Sequence, residues 1–295
     1  MTTRTEVAAL EAPALLESSR PKLDAMREQL RGLGSALVAF SGGVDSTFVL
    51  KIAAEVLGDQ AVALTAISES VAPEERAEAK ALAAQIGVRQ ILVDSAELSN
   101  PEYAKNPTNR CYFCKTELYD HCIRVRDELG LAGVLDGFNA DDFKDHRPGH
   151  QAAREHGIYS PLAQAGLTKA EIRAWSQKLG LPTWDKPAMA CLASRIPYGS
   201  SVTREKLLQV GRAETALRQL GLRTFRVRHH GEIARLELSP EAQARFESAE
   251  FRLQVSAAIR ACGYQFVAVD LEPFRSGRMN EAAGVAPSAR LPVLS

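Results

Sequence analysis

The chain has no excess charge of either sign: thirty-six Lys and Arg residues balance thirty-six Asp and Glu residues over 295 positions. No global field draws it to nucleic acid, so no nucleic-acid partner is expected and any basic site is local. Long apolar runs are also missing. Nothing approaches the ~20 residues that span a bilayer, and the N-terminus MTTRTEVAALEAPALLESSRP has no continuous apolar stretch behind a basic start. The expectation is a cytoplasmic protein without a membrane partner. Cysteine is scarce, with five residues. In a reducing compartment these do not form a disulfide framework, so metal, cluster or catalytic roles come first. No internal repeat and no long low-complexity linker occurs.

What is present is a 45% apolar chain, long enough for one good core and a smaller second one, since domains cluster near ~100–150 residues. Residues 1–20 carry no sustained helical stripe and read as a flexible extension with one helical turn at most. Leu23, Met26, Leu30 and Leu33 then recur at helical spacing over Pro21–Leu33. Strands at Ala36–Phe40, Ala61–Ile67, Gln90–Val93 and Val134–Gly137 alternate with helices through Leu57, over Pro73–Ile86 and through Leu129. A further helix, Leu167–Leu179, is opened by Thr168 with Glu171 three residues on. This alternation predicts an α/β fold, a doubly wound parallel sheet. Past Tyr198 the order is helix (Thr203–Leu220), strand (Thr224–His229), strand (Ile233–Leu238), helix (Pro240–Cys262) and strand (Gln265–Leu271). The two middle strands, joined at His230-Gly231, predict a hairpin and a smaller C-terminal α+β domain. The expected division is 1–20, 21–198 and 199–295.

In L-V-A-F-S-G-G-V-D-S-T (Leu37–Thr47) a strand, a Ser-Gly-Gly turn and a helix start follow one another. Such a turn offers backbone N–H groups and the hydroxyls of Ser41 and Ser46 to an anion at the positive end of a helix, and Gly42 and Gly43 allow close approach. Asp45 cannot bind phosphate, which leaves Mg²⁺ or loop shaping as its role. No Lys-Ser or Lys-Thr follows the glycines, so this is not a Walker loop. It resembles the S-G-G-x-D-S pyrophosphate loop (PP-loop) of the ATP-pyrophosphatases, which have the adenine-nucleotide α-hydrolase fold and cleave ATP between its α and β phosphates.

Cys111 and Cys114 form the C-x-x-C of N-R-C-Y-F-C-K-T-E (Asn109–Glu117), whose spacing suits a redox pair, half a zinc site or part of an iron–sulfur site. Cys191 lies in K-P-A-M-A-C-L-A-S-R-I-P-Y-G, where Ser194 and Arg195 make a polar, electropositive setting that favours a nucleophile or ligand. Cys122 is eight residues past Cys114, ~12 Å along a helix, too far to share a centre. Cys262 ends an amphipathic helix and reads as core.

Together V-A-F-S-G-G-V-D-S, N-R-C-Y-F-C-K-T-E-L, V-L-D-G, H-R-P-G (His146–Gly149), A-C-L-A-S-R-I-P-Y-G and F-R-S-G-R-M-N resemble the LarE family over about Leu30 to Asn280. These are the ATP-dependent sulfur transferases of nickel-pincer cofactor biosynthesis, the pathway that equips lactate racemase. The resemblance implies that ATP adenylates a carboxylate of pyridinium-3,5-biscarboxylic acid mononucleotide and that sulfur then displaces AMP. Some members sacrifice the sulfur of a cysteine at the position of Cys191. Others hold a 4Fe-4S cluster on three cysteines, and Cys111, Cys114 and Cys191 match that set. The implied nucleotide contacts are Ala39, Ser41, Gly42, Gly43, Asp45, Ser46, Ser68, Gly137 and Arg147, with Mg²⁺. Cys191, Ser194 and Arg195 are the implied catalytic positions, and Glu214 an acidic position near substrate. The family also implies a sulfide source and a hexamer.

Arg226 and Arg228 alternate with Phe225 and Val227, so both guanidinium groups emerge on one strand face. A site for substrate phosphate or carboxylate is preferred to a solvated face, with Arg195, Arg275 and Arg278 as further candidates. His229 and His230 show no ligand spacing. The competing functions are a tRNA thiolation enzyme, an amide-forming synthetase of the same superfamily and a nucleotide-sensing regulator. Neutral net charge opposes the first and the three cysteines oppose the second.

Overall fold

The computed structural model describes residues 4–142, 148–187, 190–275 and 278–284. It opens with α1 (Arg4–Leu33), then β1 (Ala36–Ala39), α2 (Val44–Leu57), β2 (Ala61–Ile67), α3 (Pro73–Ile86) and β3 (Arg89–Asp94). The short α4 (Pro101–Ala104) leads into α5 (Arg110–Glu128) and β4 (Gly133–Leu135), followed by α6 (Pro148–Glu155), α7 (Pro161–Gln164) and α8 (Lys169–Lys178). All pairings in the first sheet are parallel, in the order β3-β2-β1-β4.

Strand alternation divides the core in two. Ala36, Val38 and Phe40 face α1, α2 and α8, where Leu23, Met26, Phe48, Ile52, Ile172 and Trp175 pack. Leu37, Ala39, Val62 and Leu64 face α5 through Cys122 and Val125. The sheet is thus covered on both sides, as expected. The chain leaves β1 toward β2 and β3, then returns to place β4 on the other side of β1. The crevice at the C-terminal ends of β1 and β4 is therefore a topological switch point, where such sheets bind ligands.

The second half contains α9 (Arg204–Gln219), β5 (Phe225–His230), β6 (Ile233–Leu238), α10 (Pro240–Arg245), α11 (Ala249–Ala261), β7 (Phe266–Val269) and α12 (Arg278–Ala282). β5 and β6 form the expected hairpin, and β7 adds in parallel to β6. Phe225, Val227, Ala234 and Leu236 pack on Ala213 and Leu217 of α9 and Val255 and Ile259 of α11. Arg226, Arg228, Arg235 and Glu237 occupy the opposite face.

Three expectations are corrected. Residues from Arg4 onward are helical and continuous with the next segment, not a loose extension. Ser19 is fully buried, accepts a hydrogen bond from Trp175 Nε1 at 2.8 Å and donates to the Leu15 carbonyl. Leu16 packs on the first core. The helix keeps Pro13 and Pro21 inside it, because docking on α8 supplies what propensity withholds. The expected single helix Pro240–Cys262 is two. The Ser248 hydroxyl accepts from the Phe251 amide at 3.3 Å and caps a new helix, while Phe246 packs edge-on against Phe251 with centroids 5.3 Å apart. β7 is also shorter than Gln265–Leu271.

Ser19→Ala strands the buried indole N–H of Trp175, so it should lower unfolding free energy by about 1–3 kcal/mol in urea titration. Deleting residues 1–20 should lower the thermal midpoint further, whereas a true extension would leave it unchanged.

Candidate active site

The Ser-Gly-Gly turn lies at the switch point because β1 ends there and α2 begins with Gly43 in extended conformation as its cap. Gly42 has φ +70°, and a Cβ there would come within 3.0 Å of the Ala79 Cβ. Across the crevice a Cβ on Gly137 would meet the Ser46 amide nitrogen at 3.0 Å. Both positions demand glycine, and the Gly137 contact locks the β4 end against the loop. Ser41 Oγ and Ser46 Oγ lie 3.1 Å apart, so their hydroxyls converge. Ala39 closes β1 just before the loop.

Asp45 lies in the first turn of α2, and Lys169 Nζ reaches its Oδ2 at 2.5 Å. Its Oδ1 is buried without a partner. Burial pushes this carboxyl above the usual range, and the Lys169 ammonium pulls it part of the way back. A buried carboxylate oxygen left open beside a phosphate-type loop fits Mg²⁺, a hard cation that takes oxygen ligands. Lys186 stands on the other flank, donating to the Gly42 carbonyl at 3.3 Å and pairing with Glu78 at 2.8 Å. The sequence reading missed both lysines. Lys169 follows the Thr168 cap, and Lys186 precedes the Cys191 segment, positions that carry no phosphate signal by themselves.

Beyond β2, Ser68 donates to the buried Glu97, and Ser70 Oγ lies 2.8 Å from the Tyr103 hydroxyl. The Ser70 carbonyl accepts from the Leu192 amide at 2.9 Å. That bond ties the loop on the nucleotide side to the Cys191 segment. Cys114 and Cys191 pack in one cluster with Tyr103, Leu192, Ala193 and Ile196, and Cys111 lies exposed in the first turn of α5. Burial, reinforced by the Glu97 carboxylate that accepts from its thiol, pushes Cys114 well above the usual cysteine value. Glu97 too escaped the sequence reading, since one acid in a loop gives no pattern. Cys122 is buried against the sheet, its thiol pushed up to about 12 by burial. Cys262 packs on the second core. Among the described residues no group of three or more His, Cys, Asp or Glu is arranged around a single metal ion.

Arg195 is 1% exposed and brackets the two halves of the chain. Its Nε and Nη2 donate to the two carboxylate oxygens of Glu214 at 2.8 and 3.0 Å, and Nη1 donates to the Ala190 carbonyl at 2.6 Å and Ser194 Oγ at 2.9 Å. Glu214 also accepts from the Val227 amide at 3.2 Å and pairs with Arg218. Although burial works to raise it, Arg195 holds the Glu214 carboxyl below the usual value. Arg226 and Arg228 are buried, so their face is not a solvated one. Arg228 donates to Glu237 at 2.6 Å and to the Ser194 carbonyl at 2.8 Å. Arg226 lies 4.6 Å over the Phe274 ring; burial, then the charge of Arg195, pulls its pKa down to about 10. The arginines 195, 218, 226, 228 and 235 gather around Glu214 and Glu237, with Asp270 pairing to Arg235. Arg278 pairs with Asp270 and Arg275 with Glu281. Arg147 lies outside the described residues.

These features define a PP-loop, ATP-using enzyme: a glycine turn at the switch point, an open carboxylate oxygen and two flanking lysines. The asparagine synthase family profile matches residues 23–108. An uncharacterised protein of Synechocystis sp. is 48% identical over 90% of this chain and 98% of its own length. The pyridinium-3,5-bisthiocarboxylic acid mononucleotide synthase of Lactiplantibacillus plantarum is 40% identical over 85% of this chain and 91% of its own. GMP synthase of Aeropyrum pernix is 27% identical over 62% of this chain and 39% of its own. The chain belongs to the pyridinium-3,5-bisthiocarboxylic acid mononucleotide synthase family, LarE. Among the described residues no helix is long and apolar enough to cross a membrane.

Glu214→Gln should cost about 3–5 kcal/mol at neutral pH, because it leaves the buried Arg195 unpaired. The Glu214 carboxyl is lower in the folded than in the unfolded chain. Its contribution is therefore complete above the ordinary value of 4.5 and lost as pH falls through the folded value. Urea midpoints against pH should show the wild type weakening below about pH 4.5, with this part of the slope absent in Glu214→Gln.

Proposed function

We propose that this protein adenylates the carboxylates of pyridinium-3,5-biscarboxylic acid mononucleotide with ATP and replaces oxygen by sulfur to give thiocarboxylates. The relative from Lactiplantibacillus plantarum carries this reading by its name. The switch-point loop and the joining of its flank to the Cys191 segment support it.

The N–H groups of the 41–46 turn and the hydroxyls of Ser41 and Ser46 hold the pyrophosphate portion of ATP. Asp45, with its open Oδ1, holds Mg²⁺, and Lys169 and Lys186 flank the phosphates. The substrate carboxylate attacks the α-phosphorus and pyrophosphate leaves. Sulfide then adds to the acyl carbon, and AMP departs with the electron pair of the broken C–O bond. Arg226 and Arg228 receive the phosphate of the nucleotide substrate, Arg228 held by Glu237 and the Ser194 carbonyl and Arg226 by the Phe225 carbonyl.

Cys111, Cys114 and Cys191 would hold a 4Fe-4S cluster: Cys114 and Cys191 pack in one apolar cluster, Cys111 lies in the first turn of α5 three residues before Cys114, and Arg110 is within electrostatic reach of Cys111 and Cys191. Held by these three thiolates, such a cluster would supply a coordination position for sulfide from an external source. Cys191 is then a ligand and transfer is catalytic. A homo-oligomer, hexameric by family, is supported by the open edge of β7, where Phe266, Val269 and Leu271 are exposed.

Anaerobic wild type should carry about four irons per chain, lost in Cys111→Ala, Cys114→Ala and Cys191→Ala. No iron after reconstitution would return Cys191 to the sacrificial role. In a pyrophosphate-release assay Lys169→Ala should raise the KM for ATP about tenfold or more, the loss of one charged contact. An unchanged KM would remove Lys169 from the phosphate site.

A further inference from the structure

Arg110 is 3% exposed, at the first position of α5 and immediately before Cys111. Its guanidinium donates to Asn106 Oδ1 and, at 3.1 Å, to the Ala193 carbonyl, and lies 5.9 Å over the Tyr198 ring. All three partners are neutral, and among the described residues no carboxylate pairs with it. Two other buried arginines contrast with it, since Arg195 has Glu214 and Arg228 has Glu237. A cation buried without a counter-charge costs several kcal/mol, and a neutral amide would serve the two hydrogen bonds as well.

Its position is nonetheless closely determined. Asn106 is fully buried with φ +57°, a left-handed conformation that asparagine tolerates best after glycine. Its Nδ2 donates to the carbonyls of Ile196, Pro197 and Ser200 at 3.2, 2.8 and 3.0 Å, and its own carbonyl accepts from the Gly199 amide. One residue therefore clamps the segment after Cys191 and orients the guanidinium. Among the groups able to carry negative charge, Cys191 and Cys111 act most strongly on Arg110, ahead of Tyr103 and Tyr198. Burial raises both phenols and keeps them neutral. Of these four, the two cysteines remain.

We propose that Arg110, placed by Asn106, is the built-in counter-ion of the sulfur centre, neutralising the negative charge that Cys111 and Cys191 carry when they hold their metal–sulfur group. This rests on the reading of those cysteines as that centre, and it makes Arg110 a positioning residue. The guanidinium bears its charge at every physiological pH, so no titration of the centre is required.

The metal-free full-length chain is alkylated with iodoacetate and with iodoacetamide, and rates are read at each cysteine by mass spectrometry. The ratio of the two rates cancels the thiolate fraction and reports local charge. In wild type the ratio at Cys111 and Cys191 should exceed that at Cys262 and that of the same cysteines in the urea-unfolded chain. Arg110→Gln keeps donors for Asn106 and Ala193 and should lower the ratio about fivefold or more, while Arg110→Lys restores it. An unchanged ratio in folded Arg110→Gln overturns the proposal. So does equality between folded and unfolded wild type, which needs no variant. Anaerobic reconstitution is the second arm, with Arg110→Gln expected to retain less iron than Arg110→Lys. A wild type that binds no iron removes the metal–sulfur reading, yet the alkylation ratio still decides the role of Arg110.

Discussion

The buried pair of Arg195 and Glu214 is the contact on which the rest of the arrangement depends. Arg195 belongs to the Cys191 segment, Glu214 to α9, and the same carboxylate accepts from the β5 backbone at Val227. Three elements are thereby held together by one bidentate ion pair at 1% exposure. Two buried charges in this geometry tolerate no sliding, because either one alone would be left desolvated. Arg195, expected as a catalytic position, braces the Cys191 segment by bonds to Ala190, Cys191 and Ser194. Cys191 is thus fixed relative to β5 as well as to the loop after β2.

The nucleotide side is built on closeness. Gly42 lies against Ala79, and Gly137 lies against the Ser46 amide, so the β1 and β4 ends meet with no room for a side chain. Into that crevice come two lysines from distant positions, Lys169 beside Asp45 and Lys186 beside the Gly42 carbonyl. Lys186 is five residues before Cys191, so one short segment joins the lysine beside the glycine turn to the candidate sulfur centre. An extended chain of that length spans at most ~18 Å, which bounds the separation of the two centres.

Much of this was legible in the sequence. Period-two and period-3.6 patterns located the four parallel strands and their helices, and the capping box at Thr168 marked α8. The S-G-G-V-D-S turn announced the nucleotide loop because its chemistry is local: glycines, hydroxyls and a helix start are contiguous. The N-terminal helix was not legible, since Pro13 and Pro21 interrupt its propensity and its burial comes from Trp175, more than 150 residues on. The break before α11 rests on a serine cap within an otherwise continuous apolar pattern. Glu97, Arg110 and Asn106 gave no pattern either, because each acts on residues remote in the chain.

By itself the sequence determined the α/β architecture, the phosphate-binding turn, the three candidate cysteines and the family, all properties written in contiguous residues or in regular spacing. Only the tertiary structure decided which charges are paired. It set Arg195 on Glu214, Arg228 on Glu237 and Lys169 on Asp45, and it left Arg110 buried among neutral groups. The physical reason is that electrostatic free energy depends on burial and on distances of a few ångströms. Those are set where segments far apart in the chain meet, so the pattern along the chain does not contain them.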